Sequence, residues 1–471
     1  LKLYDKLYIS EFSNDLQLQI ASLFTYTNPD YYEKQRLKLS LYNTPTHLKH
    51  YRFIQENGKS ILVVPRGGLN KVKTFLQERN LPARILDERC QGCDINVNLI
   101  NTTPEQHQED IVQALISNEG GLIEAPPGAG KTIAMIALIS QLKKSTLILV
   151  HEHRLKQQWI GEIKKRLAGN FVLGIVDGDG KNFGDITVGL IHSIYRLMEE
   201  NTDFLTNFGV VIIDECHRIP ASMYLKVLNN LPSFYRIGVT GTVQRKDGRE
   251  ILLYDILGEV IHKITEKDVD HRITNFEVKP IYTNVALRAP VVIRRGEAAL
   301  DYTNLLTSLL ENEERNNIIL QTIEESIKDG YFPLVLSDRV NHLKFLYKNL
   351  VERGYNTVLL IGETRTKINW VEIQKNTEIQ CIVAQSQIAA EGLDLPRLSA
   401  LHLTCPSSNK PKLKQKIGRI RRFVEGKRTP VVYDYIDNEV YMHQGLKNIS
   451  YVLKNIGLAR LKYYKQLQNM K

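Results

Sequence analysis

The stretch Glu124-Ala125-Pro126-Pro127-Gly128-Ala129-Gly130-Lys131-Thr132 decides how this chain is read. It carries A-x-x-x-x-G-K-T, a phosphate-binding P-loop pattern with Ala125 where the first glycine usually stands. Apolar Gly121-Leu122-Ile123 before it reads as a short strand, and IAMIALISQL after it as a helix of small and apolar residues. That strand–loop–helix setting gives the motif its physical meaning. Gly128 and Gly130 let backbone amides turn toward phosphate oxygens at a helix N-terminus. Lys131 reaches the β/γ-phosphates, and the Thr132 hydroxyl is suited to Mg2+. The expected nucleotide-binding set here is Pro127, Gly128, Ala129, Gly130, Lys131 and Thr132.

Upstream, NTTPEQHQEDIVQALISNEG reads as a capped helix, with Thr103 as N-cap, Pro104 at the first position and Gln106 in a capping box. Gln108 lies about where a glutamine before a P-loop can read the edge of adenine. Residues 1–100 read as a separate small α/β domain. DLQLQIASLF has helical spacing, RLKLSLYN alternates like a strand, and YRFIQENGKSILVV is a hairpin around Asn57-Gly58. Basic residues from Lys34 to Lys73 interleave there with Tyr31, Tyr32, Tyr42 and Tyr51, which suits a nucleic-acid surface as well as it suits a solvated face over core tyrosines. Pro29-Asp30 with Glu56 and Lys59 only loosely imitates a metal-nuclease motif, with its last spacing one residue too long.

With 471 residues there is room for about three domains. A net charge of +10, from 62 Lys+Arg against 52 Asp+Glu, favours a polyanionic partner. No apolar run reaches the roughly 18 residues of a membrane span, and no signal peptide is visible. The chain opens on Leu1, so an initiator methionine is expected before it. Five cysteines without regular spacing suggest reduced thiols, and Cys90-Gln91-Gly92-Cys93 lacks the second pair of ligands a structural zinc needs.

Beyond the P-loop helix, STLILV, FVLGIVDG, DITVGLI and FGVVIID alternate with helical stretches, the pattern of a doubly wound parallel sheet. FGVVIID delivers Asp214-Glu215 at a strand's C-terminal end, where such sheets place their chemistry. Adjacent carboxylates there call for a cation: Asp214 to hold Mg2+ and Glu215 to act as general base toward water.

Taken together, APPGAGKT and Asp214-Glu215-Cys216-His217 resemble the signature of superfamily 2 helicases and translocases. Further segments follow in that family's order: VTGT at 239–242, LVLSDR at 334–339, Ile361-Gly362-Glu363, CIVAQSQIAAEGLDLP at 381–396 and QKIGRIRR at 415–422. TGTVQRKDG at 240–248 is similar to the XPB branch, with Lys246 where that branch has Glu. The small domain before the P-loop resembles phage UvsW-type branch-migration helicases. Thr240-Gly241-Thr242 and Gln385-Ser386 depart from the commoner Ala-containing forms of their motifs.

This resemblance implies two tandem RecA-like domains with ATP in the cleft between them, preceded by a small N-terminal α/β domain and followed by a helical tail. The expected division is 1–100 for DNA recognition, 101–275 and 276–440 for the two motor domains, and 441–471 for a basic tail. Gln415, Arg419 and Arg422 would complete catalysis, the arginines by stabilising charge on the transferring phosphoryl group. Gly392 and Asp394 would line the same cleft. His151, Arg154, Gln158, His192, Ser193, Arg245 and Ser386 would contact nucleic acid, mostly at phosphate and sugar, without reading sequence. The implied activity is ATP- and Mg2+-dependent unwinding or remodelling of branched, forked or single-stranded DNA, in the cytoplasm (the host cell's if a phage encodes the protein), with no obligate protein partner. A double-stranded DNA translocase, an RNA helicase and an ATP-gated clamp are the alternatives the sequence leaves open.

Overall fold

The computed structural model describes all residues except 127, 179, 219–220, 244–249, 266–267, 269–273, 288–290, 295–296, 364–372, 374–375, 391–394, 442–451 and 470–471. The chain forms two compact units, Leu1–Asp268 and Val269–Lys471.

The first unit begins with a five-stranded sheet in the order Arg52–Glu56, Lys59–Val64, Leu7–Ile9, Lys2–Leu3, Leu86–Asp87. The expected hairpin is present. Asn57 and Gly58 both have positive φ, 50° and 73°, and Glu56 pairs with Lys59. Two positive-φ residues give a turn whose twist matches the flanking strands. Helices Asn14–Ser22 and Leu69–Gln77 cover this sheet, burying Ile20, Val72 and Phe75 against Leu7, Ile9 and Leu62.

Two local expectations fail. RLKLSLYN forms no strand: Arg36 ends a helix, Pro29–Arg36, capped by the Asn28 side chain, and Lys38 and Asn43 adopt positive φ. Leu37 and Leu39 stay 44% and 55% exposed, so the alternation has no buried face to earn pairing. Likewise the helix before the P-loop starts at Gln106, not at Thr103-Pro104. The Glu105 side chain and Gln108 side chain cap each other's backbone amides reciprocally, which satisfies the first turn from Glu105 onward.

This N-terminal sheet is fixed to the rest of its unit by buried polar contacts. Asp255, fully buried on helix Ile251–Leu257, accepts from the Tyr26 hydroxyl (2.9 Å) and the Lys71 ammonium (2.7 Å), and lies 2.7 Å from His50 Nδ1. Arg66 donates to the carbonyls of Ser233 and Phe234. The connector is also laced down. The amides of Cys90, Ser145 and Ile95 bond to Pro232, Cys93 and Lys143 carbonyls, and Gly92, at φ 68°, approaches Gly209 so closely that a Cβ would collide with its amide. Cys90 and Cys93 thus sit in a backbone seam, and no cluster of metal-binding side chains occurs among the described residues.

The main sheet of this unit has eight strands, in the order Lys181–Asn182, Leu173–Val176, Ile186–Leu190, Thr146–Val150, Val210–Asp214, Tyr235–Thr240, Gly120–Glu124, Val260–Lys263. All neighbours are parallel except the first pair. Its central strands are buried on both faces, as the apolar runs TLILV and VVIID require.

The second unit holds a six-stranded sheet, all parallel, in the order Glu277–Leu287, Val431–Tyr441, Ala400–Leu403, Pro333–Ser337, Cys381–Gln385, Thr357–Leu360. Its C-terminal helix, Val452–Asn469, packs on this sheet. Arg460 and Tyr464 both bond the buried Asp434, and Arg460 also reaches the Tyr435 carbonyl. Both units therefore have the RecA-like parallel-sheet architecture. Among the described residues no helix is long and apolar enough to cross a membrane.

Candidate active site

In a parallel sheet every strand ends at the same edge. The strands ending at Glu124, Val150, Leu190, Asp214 and Thr240 are five neighbours of one sheet, so the segments that follow them converge. They are the P-loop, His151 to Gln158, His192-Ser193, Glu215 to His217, and Gly241-Thr242.

The P-loop takes the expected form. Gly128 and Gly130 have φ of 88° and 74°, Gly130 caps helix Lys131–Leu142, and Ala129 is buried. The Lys131 ammonium donates to the carbonyls of Ala125 (2.9 Å) and Pro126 (3.3 Å), so it lies along the inside of the loop. Thr132 is half-buried in the first helical turn. Pro127 lies outside the described residues. His107 has its Nε2 3.0 Å from the Ala129 carbonyl and so donates into the loop backbone. Gln108 is fully buried. Its Oε1 accepts the Glu105 amide (3.0 Å), and its Nε2 donor has no partner among the described residues, as a group kept for a ligand would.

Asp214 is buried at its strand end, and both oxygens receive a donor: Oδ2 from the Trp159 indole N–H and Oδ1 from the Glu215 amide, each at 2.9 Å. Burial and the Glu215 charge push its carboxyl above the usual range, while the Trp159 hydrogen bond and the Lys131 charge pull the other way. A carboxylate retains acceptor sites after two such bonds, so this pair, with Thr132, fits a divalent cation that would relieve the repulsion.

Glu215 has φ +48°, a left-handed backbone at a non-glycine residue. Such conformations cost about 1–3 kcal/mol and persist only where surroundings enforce them. The next residues do so. Cys216 is buried against the sheet, and His217 Nδ1 lies 2.7 Å from Thr240 Oγ1 and 3.4 Å from Glu215 Oε2. Thr240 Oγ1 gives its one proton to the Thr242 carbonyl (2.6 Å) and accepts the Thr242 amide (3.2 Å). It must therefore accept from His217, which assigns the Nδ1–H tautomer. Asp214-Glu215-Cys216-His217 and Thr240-Gly241-Thr242 are joined by this relay.

The expected nucleic-acid contacts of this unit also meet. Val150 pairs with Leu190, which brings His151 beside His192 and Ser193. Arg154 is half-buried and Gln158 exposed on helix His153–Arg166, while Ser193 is buried. Burial, with the nearby His153 and Arg196, holds His192 below its ordinary pKa. Arg245 lies outside the described residues.

In the second unit, Gln415 and Arg419 lie on helix Lys410–Ile420, with Arg422 two residues past its end. Lys427, missed from sequence, donates to the carbonyls of Ile420 (2.7 Å), Arg422 (2.9 Å) and Pro396 (2.8 Å), which pins the end of that helix. Ser386 is 5% exposed, and its hydroxyl accepts from the buried Lys416 (3.0 Å). Burial holds the Lys416 ammonium below its ordinary pKa. Gly392 and Asp394 lie outside the described residues.

Comparison with known proteins agrees with this geometry. Residues 101–245 match the type III restriction enzyme res-subunit family, and residues 306–424 match the helicase conserved C-terminal domain. Helicase D10 of Escherichia phage T5 is 29% identical over 320 residues, 67% of this chain and 67% of D10. The DNA 3'-5' translocase XPB2 of Sulfurisphaera tokodaii is 30% identical over 203 residues, 41% of this chain and 45% of that protein. The crystal structure of T4 UvsW covers 99% of this chain and 97% of its own at 17% identity, with a TM-score of 0.42, a likeness too loose to carry weight. The chain belongs to helicase superfamily 2, with XPB-like and phage relatives.

Proposed function

We propose that this protein is an ATP-dependent DNA helicase that moves along DNA and unwinds or remodels forked and branched substrates. The observation that supports this best is the convergence of Lys131, Asp214, Glu215, the His217–Thr240 relay and the His151–His192 rim on one edge of one sheet. A nucleotide site and a polymer site that share strand ends have a short mechanical route between them.

In this reading the loop from Pro127 to Thr132 binds the phosphates and Gln108 the adenine. Lys131 shifts from its carbonyls to the β/γ-phosphates. Thr132 and Asp214 would hold Mg2+, which supplies charge neutralisation on the phosphates. Glu215 takes a proton from the attacking water. Arg419 and Arg422, with Gln415, Gly392 and Asp394, complete the site from the second motor domain. Catalysis is then positioning plus electrostatic stabilisation of a loose transition state. His151, Arg154, Gln158, His192, Ser193, Arg245 and Ser386 grip phosphates and sugars, and alternating grips by the two motor domains carry the protein along one strand. The division 1–100, 101–275, 276–440 and 441–471 assigns the first segment to DNA recognition. The working compartment in this reading is the cytoplasm, that of the host cell if a phage encodes the protein.

ATP hydrolysis measured alone and with single-stranded DNA, duplex, a four-way junction and single-stranded RNA tests this, with Lys131→Ala as blank. Strongest stimulation by fork or junction supports it. Stimulation by plain duplex alone points to a translocase, RNA preference to an RNA helicase, and no polymer dependence overturns the motor reading.

A further inference from the structure

Trp159 has no role in the site read from sequence. Its ring is 2% exposed on helix His153–Arg166, and its one polar atom is aimed at the Asp214 carboxylate, 55 residues away in the chain. Phenylalanine or leucine would fill apolar space as well. A buried indole is required where its N–H has a partner to meet.

The two donors on Asp214 differ in what they fix. The Glu215 amide belongs to the same strand end, so it follows Asp214 wherever the strand goes. The indole belongs to a different element, so the position of that helix sets the carboxylate's orientation. The same helix carries Arg154 and Gln158, five residues and one residue before Trp159. Its other side is held by Lys156, buried and paired with Asp177. A phosphate drawn to Arg154 or Gln158 would thus act on the element that holds the indole. A displacement of about 1 Å takes a bond of ordinary length beyond hydrogen-bonding range.

We propose that Trp159 is a positioning residue that orients Asp214 and makes helix His153–Arg166 the link by which bound nucleic acid sets the nucleotide site. This rests on the function proposed above, and its test separates the two. Trp159→Phe removes the N–H and keeps the ring. Binding of a fluorescent ADP across a MgCl2 titration, without nucleic acid, is expected to need several-fold more magnesium in the variant. At saturating magnesium, kcat is expected to fall about tenfold with KM for ATP nearly unchanged, as loss of one charge-assisted hydrogen bond implies. In an Asp214→Ala background, which has no side-chain acceptor, the same substitution should add little to the nucleotide-binding defect, because both remove one bond. An unchanged magnesium midpoint, or effects that simply add, overturns the proposal. A wild-type measurement covers the case of a misfolded variant. In protein labelled with 15N at the indoles of Trp159 and Trp370, single-stranded DNA should shift the Trp159 signal, and an unmoved signal also overturns the link. If wild-type hydrolysis ignores every nucleic acid while the magnesium midpoint still shifts, the helicase reading fails and Trp159's hold on Asp214 stands.

Discussion

On the proposed function, removing the hydroxyl of Thr240 is expected to separate hydrolysis from movement. It is buried and makes three hydrogen bonds: to the Thr242 carbonyl (2.6 Å), from the Thr242 amide (3.2 Å) and from His217 Nδ1 (2.7 Å). Thr240→Val keeps the branched shape and deletes all three. Each orphaned buried group costs about 1–3 kcal/mol, and the three here keep partial access to water, so a total of about 2–3 kcal/mol follows. In a unit of this size that lowers Tm by roughly 5–10 °C. The functional effect is larger in kind. His217 loses the partner that orients it 3.4 Å from Glu215, and the sequence Thr240-Gly241-Thr242 loses its tie to the carboxylate strand. ATP hydrolysis is expected to persist within about tenfold, since Lys131, Asp214 and Glu215 remain. Strand displacement should fall much further. Both rates are measured on one forked substrate and expressed as base pairs opened per ATP, with Thr240→Ser, which keeps the hydroxyl, as the control. A Tm drop with an unchanged ratio refutes the relay and leaves the hydroxyl a packing group.

Two further predictions concern the second unit. Arg460→Met leaves the fully buried Asp434 with the Tyr464 hydroxyl alone among the described residues, and breaking a buried pair costs about 3–5 kcal/mol. The expected result is early release of helix Val452–Asn469, seen as faster limited proteolysis near residue 452, and an unchanged digestion pattern would contradict it. Lys427 is held at about 8 against 10.5 for the free side chain, by burial and by Arg422. Between those values the unfolded chain binds more protons than the folded one, so this group's contribution makes stability rise with pH across that window. Melting temperatures of wild type and Lys427→Met from pH 7 to 10.5 should therefore diverge in the wild type's favour as pH rises, and parallel curves would remove Lys427's charge from the account.

What was legible in the sequence was what a single segment carries by itself. The P-loop could be read because strand, loop and helix are contiguous and their apolar periods differ. The hairpin at Asn57-Gly58 could be read because a two-residue turn needs those residue types. The misreadings share a cause. RLKLSLYN has a strand's alternation, but alternation matters only where one face is buried, and Leu37 and Leu39 face solvent. The helix Pro29–Arg36 has a sound start in Asn28 and Pro29 but no apolar stripe to announce it, because its eight residues bury none. At the next helix two capping arrangements overlapped in NTTPEQHQ, and the reciprocal Glu105–Gln108 pair prevailed over Thr103.

The contacts that were missed are those that join motifs rather than make them. Trp159 meets Asp214 across 55 residues, His217 meets Thr240 across 23, and Lys416 meets Ser386 across 30. Each motif lies at a strand end, so its existence follows from local sequence, but its neighbour follows from strand order. In the first unit that order runs Ile186–Leu190, Thr146–Val150, Val210–Asp214, Tyr235–Thr240, Gly120–Glu124, which is not the order of the chain. The strand ending at Asp214 thereby lies between those ending at Val150 and Thr240. Helix His153–Arg166 leaves from the first neighbour and Thr240-Gly241-Thr242 from the second. The carboxylate strand is thus flanked by the element expected to feel the polymer and by the element that holds His217. A perturbation of either neighbour reaches Asp214 or Glu215 through one hydrogen bond or close contact. Substitutions of Arg154 and Gln158 on helix His153–Arg166, and of residues in 240–242, should therefore change coupling at little cost to nucleotide binding.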